Sequence, residues 1–250
     1  MINGFVFNGK ASWELGIEAE LVSMPLSAEP KNVYIDIPTA DGELDLSKVN
    51  SVKRPVYKPR IIEFYCHASF DPGEENMESK AKAIADALCT GEDKILRIAG
   101  ASNYVYMGRA SNLYNITPES DSSFSFPLVF RCQPFRWEND LTFEESVGDR
   151  IVTQNNGLPA PFRLGITGYM PAGLTIRSSA HPDKELRIPT EGEGFLIIDS
   201  ETMSVTFNDV DITSKCSGDF FDLASGENII TVLCDNEYMQ FSLIYQKKYI

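Results

Sequence analysis

Phe195-Leu-Ile-Ile-Asp, Met203-Ser-Val-Thr-Phe and Met239-Gln-Phe-Ser-Leu-Ile-Tyr are examples of the short apolar runs that fill the chain from about 151 to 250. Turn signals separate such runs, at Gly168–Tyr169, Asn208–Asp209, Ser225–Asn228 and Asp235–Asn236. Short alternating runs that are punctuated this often are typical of a β-sandwich. We therefore predict a C-terminal β-sandwich over 139–250, with the domain boundary within 137–148.

The preceding part, 1–138, combines strand signals with one helix signal. Ile61–Phe70 alternates apolar and polar side chains, as expected of a half-buried strand. Phe124–Cys132 alternates in the same way, and Pro127 in its other register predicts an edge or bulged strand, because proline cannot donate to a ladder. The predicted fold class is mainly β with one main helix, an α+β N-terminal domain followed by the sandwich.

The helix is predicted near 72–89. Asp71 is the N-cap candidate, with Pro72 at the first helical position and Glu74 at the capping-box position. Five apolar residues then recur at helical spacing on one face: Met77, Ala81, Ile84, Ala85 and Leu88. Gly91 is a stop signal just beyond them.

The charge of the chain excludes some classes of partner. Its 250 residues include 22 Lys and Arg against 36 Asp and Glu, a formal net charge of −14 without any basic run. Because nucleic-acid affinity depends largely on basic side chains that neutralise phosphates, tight nucleic-acid binding is not expected. No apolar run approaches the roughly 18 residues of a membrane span, so membrane insertion is not expected either. The first ten residues lack the signal-peptide pattern, which favours synthesis in a cytoplasm.

Nothing in the sequence predicts a catalytic, cofactor or metal site. His67 adjoins Cys66, but neighbours on a strand point to opposite faces and cannot form a nucleophile–base pair. His181 lies in Ser-Ser-Ala-His-Pro-Asp, which is typical of an exposed turn. Phosphate-loop, dinucleotide and calcium-loop patterns are absent from the sequence.

The cysteines do not predict cross-links. The five are widely spaced, and no pair has the Cys-x-x-Cys spacing: Cys66, Cys89, Cys132, Cys216 and Cys234. Reduced structural thiols are therefore expected rather than a disulfide framework or a zinc site.

Two weaker patterns leave sugar chemistry open. A retaining glycosidase needs two carboxylates about 5–5.5 Å apart, and four acidic residues lie near consecutive strand ends: Glu191, Glu193, Asp199 and Glu201. Solvated turn charges explain them better. Exposed aromatic side chains could stack on sugars, and the candidates are Tyr104, Tyr106, Tyr114, Tyr169 and Trp137. Core or interface positions are the more ordinary interpretation of these five.

Five segments follow one another along the chain: Phe7-Asn-Gly-Lys-Ala-Ser with Leu15-Gly-Ile, Ile37-Pro-Thr-Ala-Asp-Gly-Glu-Leu-Asp, Tyr104-Val-Tyr-Met-Gly-Arg-Ala, Phe130-Arg-Cys-Gln-Pro-Phe-Arg-Trp, and Gly218-Asp-Phe-Phe-Asp-Leu-Ala-Ser-Gly-Glu-Asn-Ile-Ile. In this order they resemble the distal tail protein (Dit) family of long-tailed phages. In the last segment Phe221 stands where the family pattern has proline. The resemblance spans nearly the whole chain.

The resemblance implies a non-enzymatic virion structural protein. It implies a ring-forming N-terminal domain and a galectin-like, jelly-roll C-terminal sandwich. Hexameric rings would join the tail tube to the baseplate or host-adsorption device at the virion tail tip, with a channel for DNA. The implied partners are further copies of the chain, the tail tube protein, and tail-tip, baseplate or receptor-binding proteins, after synthesis in the bacterial host. The alternative is a carbohydrate-binding or host-adhesion module of a phage or prophage.

Overall fold

The computed structural model describes residues 4–36, 42–47, 56–100, 103–112, 115–170, 173–233 and 239–250. The chain divides into two compact units, Met1–Arg136 with Ile250, and Trp137–Tyr249. Cys234, Tyr114, the turn at Asp235–Asn236 and residues 37–41 of the resembling segments lie outside the described residues.

The N-terminal unit is a curled antiparallel sheet with a helix packed against its core. Its elements are β1 (Phe5–Phe7), β2 (Lys10–Ala11), a 3₁₀ turn (Ser12–Leu15), β3 (Ile17–Ser23), β4 (Tyr34–Asp36), β5 (Glu43–Asp45), β6 (Arg60–Ser69), α1 (Met77–Leu88), β7 (Lys94–Ile98), β8 (Tyr104–Asn112), β9 (Thr117–Ser120) and β10 (Ser123–Glu138). The sheet order is β2-β1-β7-β8-β10-β6-β3. Gly4, ahead of β1, donates its N–H to the carbonyl of Ala19 in β3 at 2.7 Å, which shows that the sheet curls on itself.

The alternation predicted for the first half is confirmed. In β6 every second residue from Arg60 to Ala68 is buried, and the residues between them are half-buried or exposed. Phe5, Phe64 and Phe130 pack together inside the curl, with ring centroids 5.2–6.1 Å apart. Burial of these large apolar surfaces is the main force that holds the unit together.

Pro127 does not mark an edge or a bulge, so that prediction is wrong. β10 lies between β8 and β6, and its pairing with β6 runs without interruption from Ser123 to Cys132, with Pro127 opposite Tyr65. Because ladder bonds alternate between the two sides of a strand, a missing N–H removes a bond on one side only. An internal strand can lose that one hydrogen bond and still keep its pairing.

The helix begins five residues later than predicted, at Met77. Asp71 instead closes a tight turn, in which its Oδ1 accepts from the N–H of Gly73 at 2.9 Å. The true N-cap is Asn76, whose Oδ1 accepts from the N–H of Ser79 at 2.9 Å while Ser79 Oγ accepts from the N–H of Asn76 at 3.1 Å. The predicted apolar face is confirmed, because Ile84 and Leu88 are buried and Met77 and Ala81 pack against the same core.

The C-terminal unit is a β-sandwich of two antiparallel sheets. Its strands are β11 (Thr142–Gly148), β12 (Arg150–Asn155), β13 (Phe162–Met170), β14 (Leu174–Ser178), β15 (His181–Ile188), β16 (Gly192–Asp199), β17 (Ser204–Phe207), β18 (Val210–Asp211), β19 (Ser217–Gly218), β20 (Gly226–Leu233), β21 (Met239–Tyr245) and β22 (Lys248–Tyr249), with a 3₁₀ turn at Thr213–Lys215. One sheet has the order β11-β21-β13-β16-β17-β18 and the other β12-β20-β14-β15-β19. The inward side chains of both sheets form one apolar core.

Two of the predicted turns in this unit are corrected. Gly168–Tyr169 lies inside β13, where Gly168 pairs with Gly194 at a φ of +141° that glycine tolerates without strain. The turn predicted at Ser225–Asn228 does not extend beyond Ser225, because β20 already begins at Gly226. The turn at Asn208–Asp209 is confirmed, and both residues have positive φ values, as a tight hairpin requires.

Candidate functional site

The two histidines lie in different hydrogen-bonding environments. His67 is on the outer side of β6, where its Nδ1 lies 2.8 Å from Glu119 Oε2, while the neighbouring Cys66 points into the core. His181 contacts the carbonyl oxygen of Asp222 through Nε2 at 3.1 Å. Neither histidine has a hydrogen bond to a cysteine or serine side chain among the described residues.

The four predicted carboxylates do not form one constellation. Glu193 and Asp199 lie six residues apart on the same strand, β16, which separates their α-carbons by roughly 20 Å at the usual rise per residue. Asp199 forms an ion pair with Arg163, whose Nη2 lies 3.0 Å from its Oδ2. Its Oδ1 accepts hydrogen bonds from the backbone N–H groups of Glu201 and Thr202 in the following turn. Their spacing on β16 places Glu193 and Asp199 too far apart to act as the two carboxylates of a retaining glycosidase.

The described cysteines are free thiols. Cys66 and Cys132 are buried in the N-terminal core, and burial raises the pKa of each to about 12. Thiols held so far from their thiolate form are poor nucleophiles and poor metal ligands. They act as small apolar side chains, as the sequence predicts.

Only one of the predicted aromatic candidates is strongly exposed among those that the structure describes. Tyr106 is 1% exposed and Tyr104 lies under the guanidinium of Arg136, 4.5 Å from its ring. Trp137 is half-buried, whereas Tyr169 on β13 is 57% exposed. Two further exposed aromatic side chains of this sheet were not predicted, Phe143 at 56% and Phe195 at 41% exposed.

An open groove of about 500 Å³ crosses the outer face of the sheet that contains β11, β21 and β13. Val147 of β11, Gln240 of β21 and Thr167 of β13 are register partners across its floor. Phe195 of β16 lies next in the same row and is 41% exposed. Gly165 makes room for the aromatic ring, because a Cβ there would lie 3.1 Å from Phe195 Cε2.

The polar side chains of the groove are available to a ligand. Glu145, Thr167, Gln240 and Ser242 line it, and none of these side chains makes a hydrogen bond to another described residue. An exposed aromatic ring beside a groove with a few unengaged polar groups is a composition that small-ligand sites use.

The N-terminal sheet carries a second exposed surface on the side away from its core, which we call the outer face. Its strands β1, β6, β7, β8 and β10 present both apolar and charged side chains there: Val6, Ile61, Glu63, Tyr65, Ile95, Arg97, Met107, Arg109, Val129 and Arg131. The arginines lie on β7, β8 and β10, and Arg109 is ion-paired there with Asp93 at 3.0 Å. Further acidic side chains lie on β6 and, through Glu18 and Glu20, on β3. The face therefore carries both signs of charge.

Between β3 and β6 the described residues 29–36, 42–47 and 56–58, which we call the arm, include a two-stranded hairpin. Within it β4 pairs with β5, and Pro30 bridges to Tyr57 at its base. An ion pair of 2.6 Å between Lys58 and Glu29 closes the base. All six residues of 31–36 are exposed.

Arg60, which follows the arm, is a buried structural residue that was not predicted. It is 2% exposed, and its Nη1 and Nη2 donate to the carbonyl oxygens of Pro25 at 2.5 Å and Pro134 at 3.2 Å. Burial lowers the pKa of this guanidinium. Arg60 occupies an inward-facing position in the alternating pattern of β6, and a buried charge needs dedicated partners. That position in the sequence could have identified it as a structural residue.

The segment that starts at Gly218 has a steric reason for its glycine. Gly218 has a φ of +100°, and a Cβ there would lie 2.0 Å from the carbonyl oxygen of Glu185. Asn228, ten residues later, is fully buried and closes the turn before β20. The two residues fix the backbone of this part of the sandwich.

Comparison with known proteins identifies related folds. Residues 183–249 match the family model of the C-terminal domain of the siphovirus-type tail component. Over its full length the chain resembles the crystal structure of the Dit protein (gp 19.1) of phage SPP1, described as a paradigm of the hub adsorption apparatus in phages that infect Gram-positive hosts. The TM-score is 0.73 at 13% identity, with 100% of both chains covered. No curated protein matches the sequence.

A second solved structure, the baseplate of phage P2 in its activated conformation with Ca, matches with a TM-score of 0.50 and 9% identity. This match covers 100% of this chain and 99% of that one. At these identities the solved structures show a shared fold. The predicted resemblance to the distal tail protein family and the predicted fold class are confirmed. The family match over 183–249 is to a component of phage tails, and the fold of the whole chain is shared with the solved structures. No helix among the described residues is both long and apolar enough to cross a membrane.

Proposed function

We propose that this chain is the distal tail hub of a siphophage or prophage, a non-enzymatic virion protein at the tail tip. In this proposal a hexameric ring joins the tail tube to the baseplate or host-adsorption device. The observation that carries it is the family match over 183–249 together with the fold likeness over the whole chain. The N-terminal unit forms the ring, and the sandwich is free to contact neighbouring tail proteins.

The surface of the N-terminal unit supports this role physically. A closed ring needs a head-to-tail interface, so each copy must present two different complementary patches. The outer face and the arm are two such patches, and they differ in both shape and charge. The net charge of −14 suits a channel through which DNA must pass without being held.

Ring formation is the prediction that tests the proposed function. We expect the purified chain to form hexamers at high concentration, measured by native mass spectrometry and by negative-stain images of rings. We also expect the rings to show no tight, salt-sensitive binding of duplex DNA. A chain that stays monomeric at all concentrations, even with the tail tube protein present, would contradict the proposal.

A second candidate function rests on the groove of the sandwich. Phe195 offers an aromatic face to the apolar side of a sugar ring, and the unengaged side chains of Gln240 and Glu145 can hydrogen-bond to its hydroxyl groups. The ligand class is a neutral, hydroxyl-rich glycan of the host surface. This would make the hub an adhesion module as well as an adaptor.

Glycan binding is tested with the full-length chain on a glycan array and by calorimetry with the best-bound glycan. We expect Phe195→Ala to weaken binding about tenfold, since it removes the stacking surface and its buried area. Phe143→Ala is the control, because Phe143 is an exposed phenylalanine of β11 that lies in a different cross-strand row, that of Arg163 and Asp199. Equal loss in both variants, or no glycan bound by the parent chain, would exclude this second function.

A further inference from the structure

We infer that β11, at one edge of the sandwich, accepts an extended segment of another protein as an additional strand. On the side that lies beside Phe143, Glu145 and Val147, this segment carries a basic side chain between two apolar ones. The inference goes beyond the proposed function, because strand addition requires neither the ring nor the glycan groove.

β11 is the longest of the strands at the four edges of the sandwich. One sheet ends at β11 and β18, and the other ends at β12 and β19. β18 and β19 have two residues each, β12 has six and β11 has seven. All seven pair with β21 without a register shift, from Thr142 opposite Tyr245 to Gly148 opposite Met239. Natural sheets protect their edges with very short strands, bulges or prolines, and β11 has none of these.

The backbone on the free side of β11 is open to a partner. Because the hydrogen bonds of an antiparallel strand alternate between its two sides, half of the N–H and C=O groups of β11 point away from β21. No described strand pairs with them. An open groove of about 470 Å³ lies between β11 and β12, with Val152 of β12 in its lining. The inward carboxylate of Glu144 does not block this edge, since it accepts a 2.8 Å hydrogen bond from the buried hydroxyl of Thr153.

The outward side chains of β11 provide apolar area on both sides of one charge. Phe143, Glu145 and Val147 share a side of the strand, because they alternate along it. Val147 is 68% exposed, and Leu141, just before the strand, is 62% exposed. Large exposed apolar side chains on an unpaired edge favour pairing with a further strand.

The charges around β11 specify a basic partner. Residues 139–149 include four acidic side chains and no basic one. Three of the four, Asp140, Glu145 and Asp149, are exposed, and none of these three forms an ion pair with a cation that the structure describes. Opposite charges that face each other across two strands stabilise their pairing, so a Lys or Arg opposite Glu145 is the favoured arrangement.

A second copy of this chain fits the edge less well. Two β11 strands paired antiparallel in full register would place their Glu145 side chains opposite each other, because Glu145 is the middle residue of the strand. Like charges directly opposite destabilise a strand pair. In strand addition, main-chain hydrogen bonds provide affinity and alternate side chains provide specificity. The occupant is therefore a segment of a different protein with apolar, basic and apolar side chains at alternate positions.

Two synthetic peptides test this inference on the full-length chain. The first is Thr-Val-Thr-Lys-Thr-Val-Thr, and the second has Glu in place of Lys. We expect the parent chain to bind the Lys peptide about fivefold more tightly than the Glu peptide in fluorescence anisotropy, because the central side chain faces Glu145. Bound Lys peptide should also slow hydrogen exchange in residues 142–148, read by mass spectrometry.

A charge reversal on β11 provides the variant. We expect Glu145→Lys to reverse the preference, so that it binds the Glu peptide about fivefold more tightly than the Lys peptide. Glu227→Lys is the matched control and should keep the preference of the parent chain, because Glu227 is also exposed but lies on β20, which has a strand on each side. Circular dichroism verifies that both variants are folded.

The outcomes decide between strand addition and its alternatives. A reversed preference in Glu145→Lys, together with slower exchange in β11, supports strand addition. The inference is overturned by a lack of binding of either peptide at millimolar concentration, by equal binding of both, by a preference that Glu145→Lys leaves unchanged, or by slower exchange at another strand instead. Exchange in β11 that slows with chain concentration in the absence of peptide identifies a second copy as the occupant and also overturns it. Hexamer formation is measured separately, so the proposed hub does not depend on these results.

Discussion

Phe130→Ala is expected to lower the free energy of unfolding by about 3–5 kcal/mol, the range for removing a large aromatic side chain from a packed core. Phe130 is completely buried, and its ring lies 5.0 Å from that of Phe7 and 5.3 Å from that of Phe5. Three strands that are distant in sequence meet at this ring. The cavity left by alanine cannot close without moving β1 relative to β10.

The measurement is urea unfolding of the full chain, with hydrogen exchange read by mass spectrometry to assign the loss to the N-terminal strands. Phe143→Ala deletes the same atoms from a side chain that is 56% exposed, and it should change stability by less than about 1 kcal/mol. A loss below about 1 kcal/mol for Phe130→Ala as well would show that the aromatic cluster does not hold the unit together.

Asn228→Leu is expected to destabilise the sandwich by roughly 3 kcal/mol, since buried polar groups left without partners cost about 1–3 kcal/mol each. The Oδ1 of Asn228 accepts from the N–H of Ala224 at 2.8 Å. Its Nδ2 donates to the carbonyl oxygens of Ala224 at 2.9 Å and Gly226 at 3.0 Å. Leucine has nearly the same size but satisfies none of these three backbone groups.

Thermal unfolding of the full chain measures this effect. Glu227→Leu is the control, because the neighbouring side chain is exposed and gains the same apolar group. Asn228→Asp separates the contributions further, since it keeps the acceptor for Ala224 and loses both donated bonds. Equal stability of Asn228→Leu and Glu227→Leu would contradict a structural role for the amide.

Hydrophobic periodicity alone was enough to predict the strands of β6 and β16 and the apolar face of α1. This succeeds because a two-residue or 3.6-residue repeat of apolar side chains can be buried by only one kind of element. The start of α1 could not be fixed in this way. Asp71 and Asn76 are both good caps, and the choice depends on a turn in which Asp71 bonds to Gly73.

By itself the sequence determined the fold class and a family resemblance carried by motifs in the correct order. The tertiary structure alone decided that Pro127 is internal, that Gly168 lies within a strand, and that Arg60 is buried beneath backbone carbonyl groups. It also decided which exposed side chains share a surface, so that Phe195 lies in the same cross-strand row as Thr167 of the groove and Arg131 lies on the outer face. Periodicity is a local property of the chain, whereas register, strand order and curvature depend on contacts between residues far apart in sequence, and these contacts create the surfaces on which assembly depends.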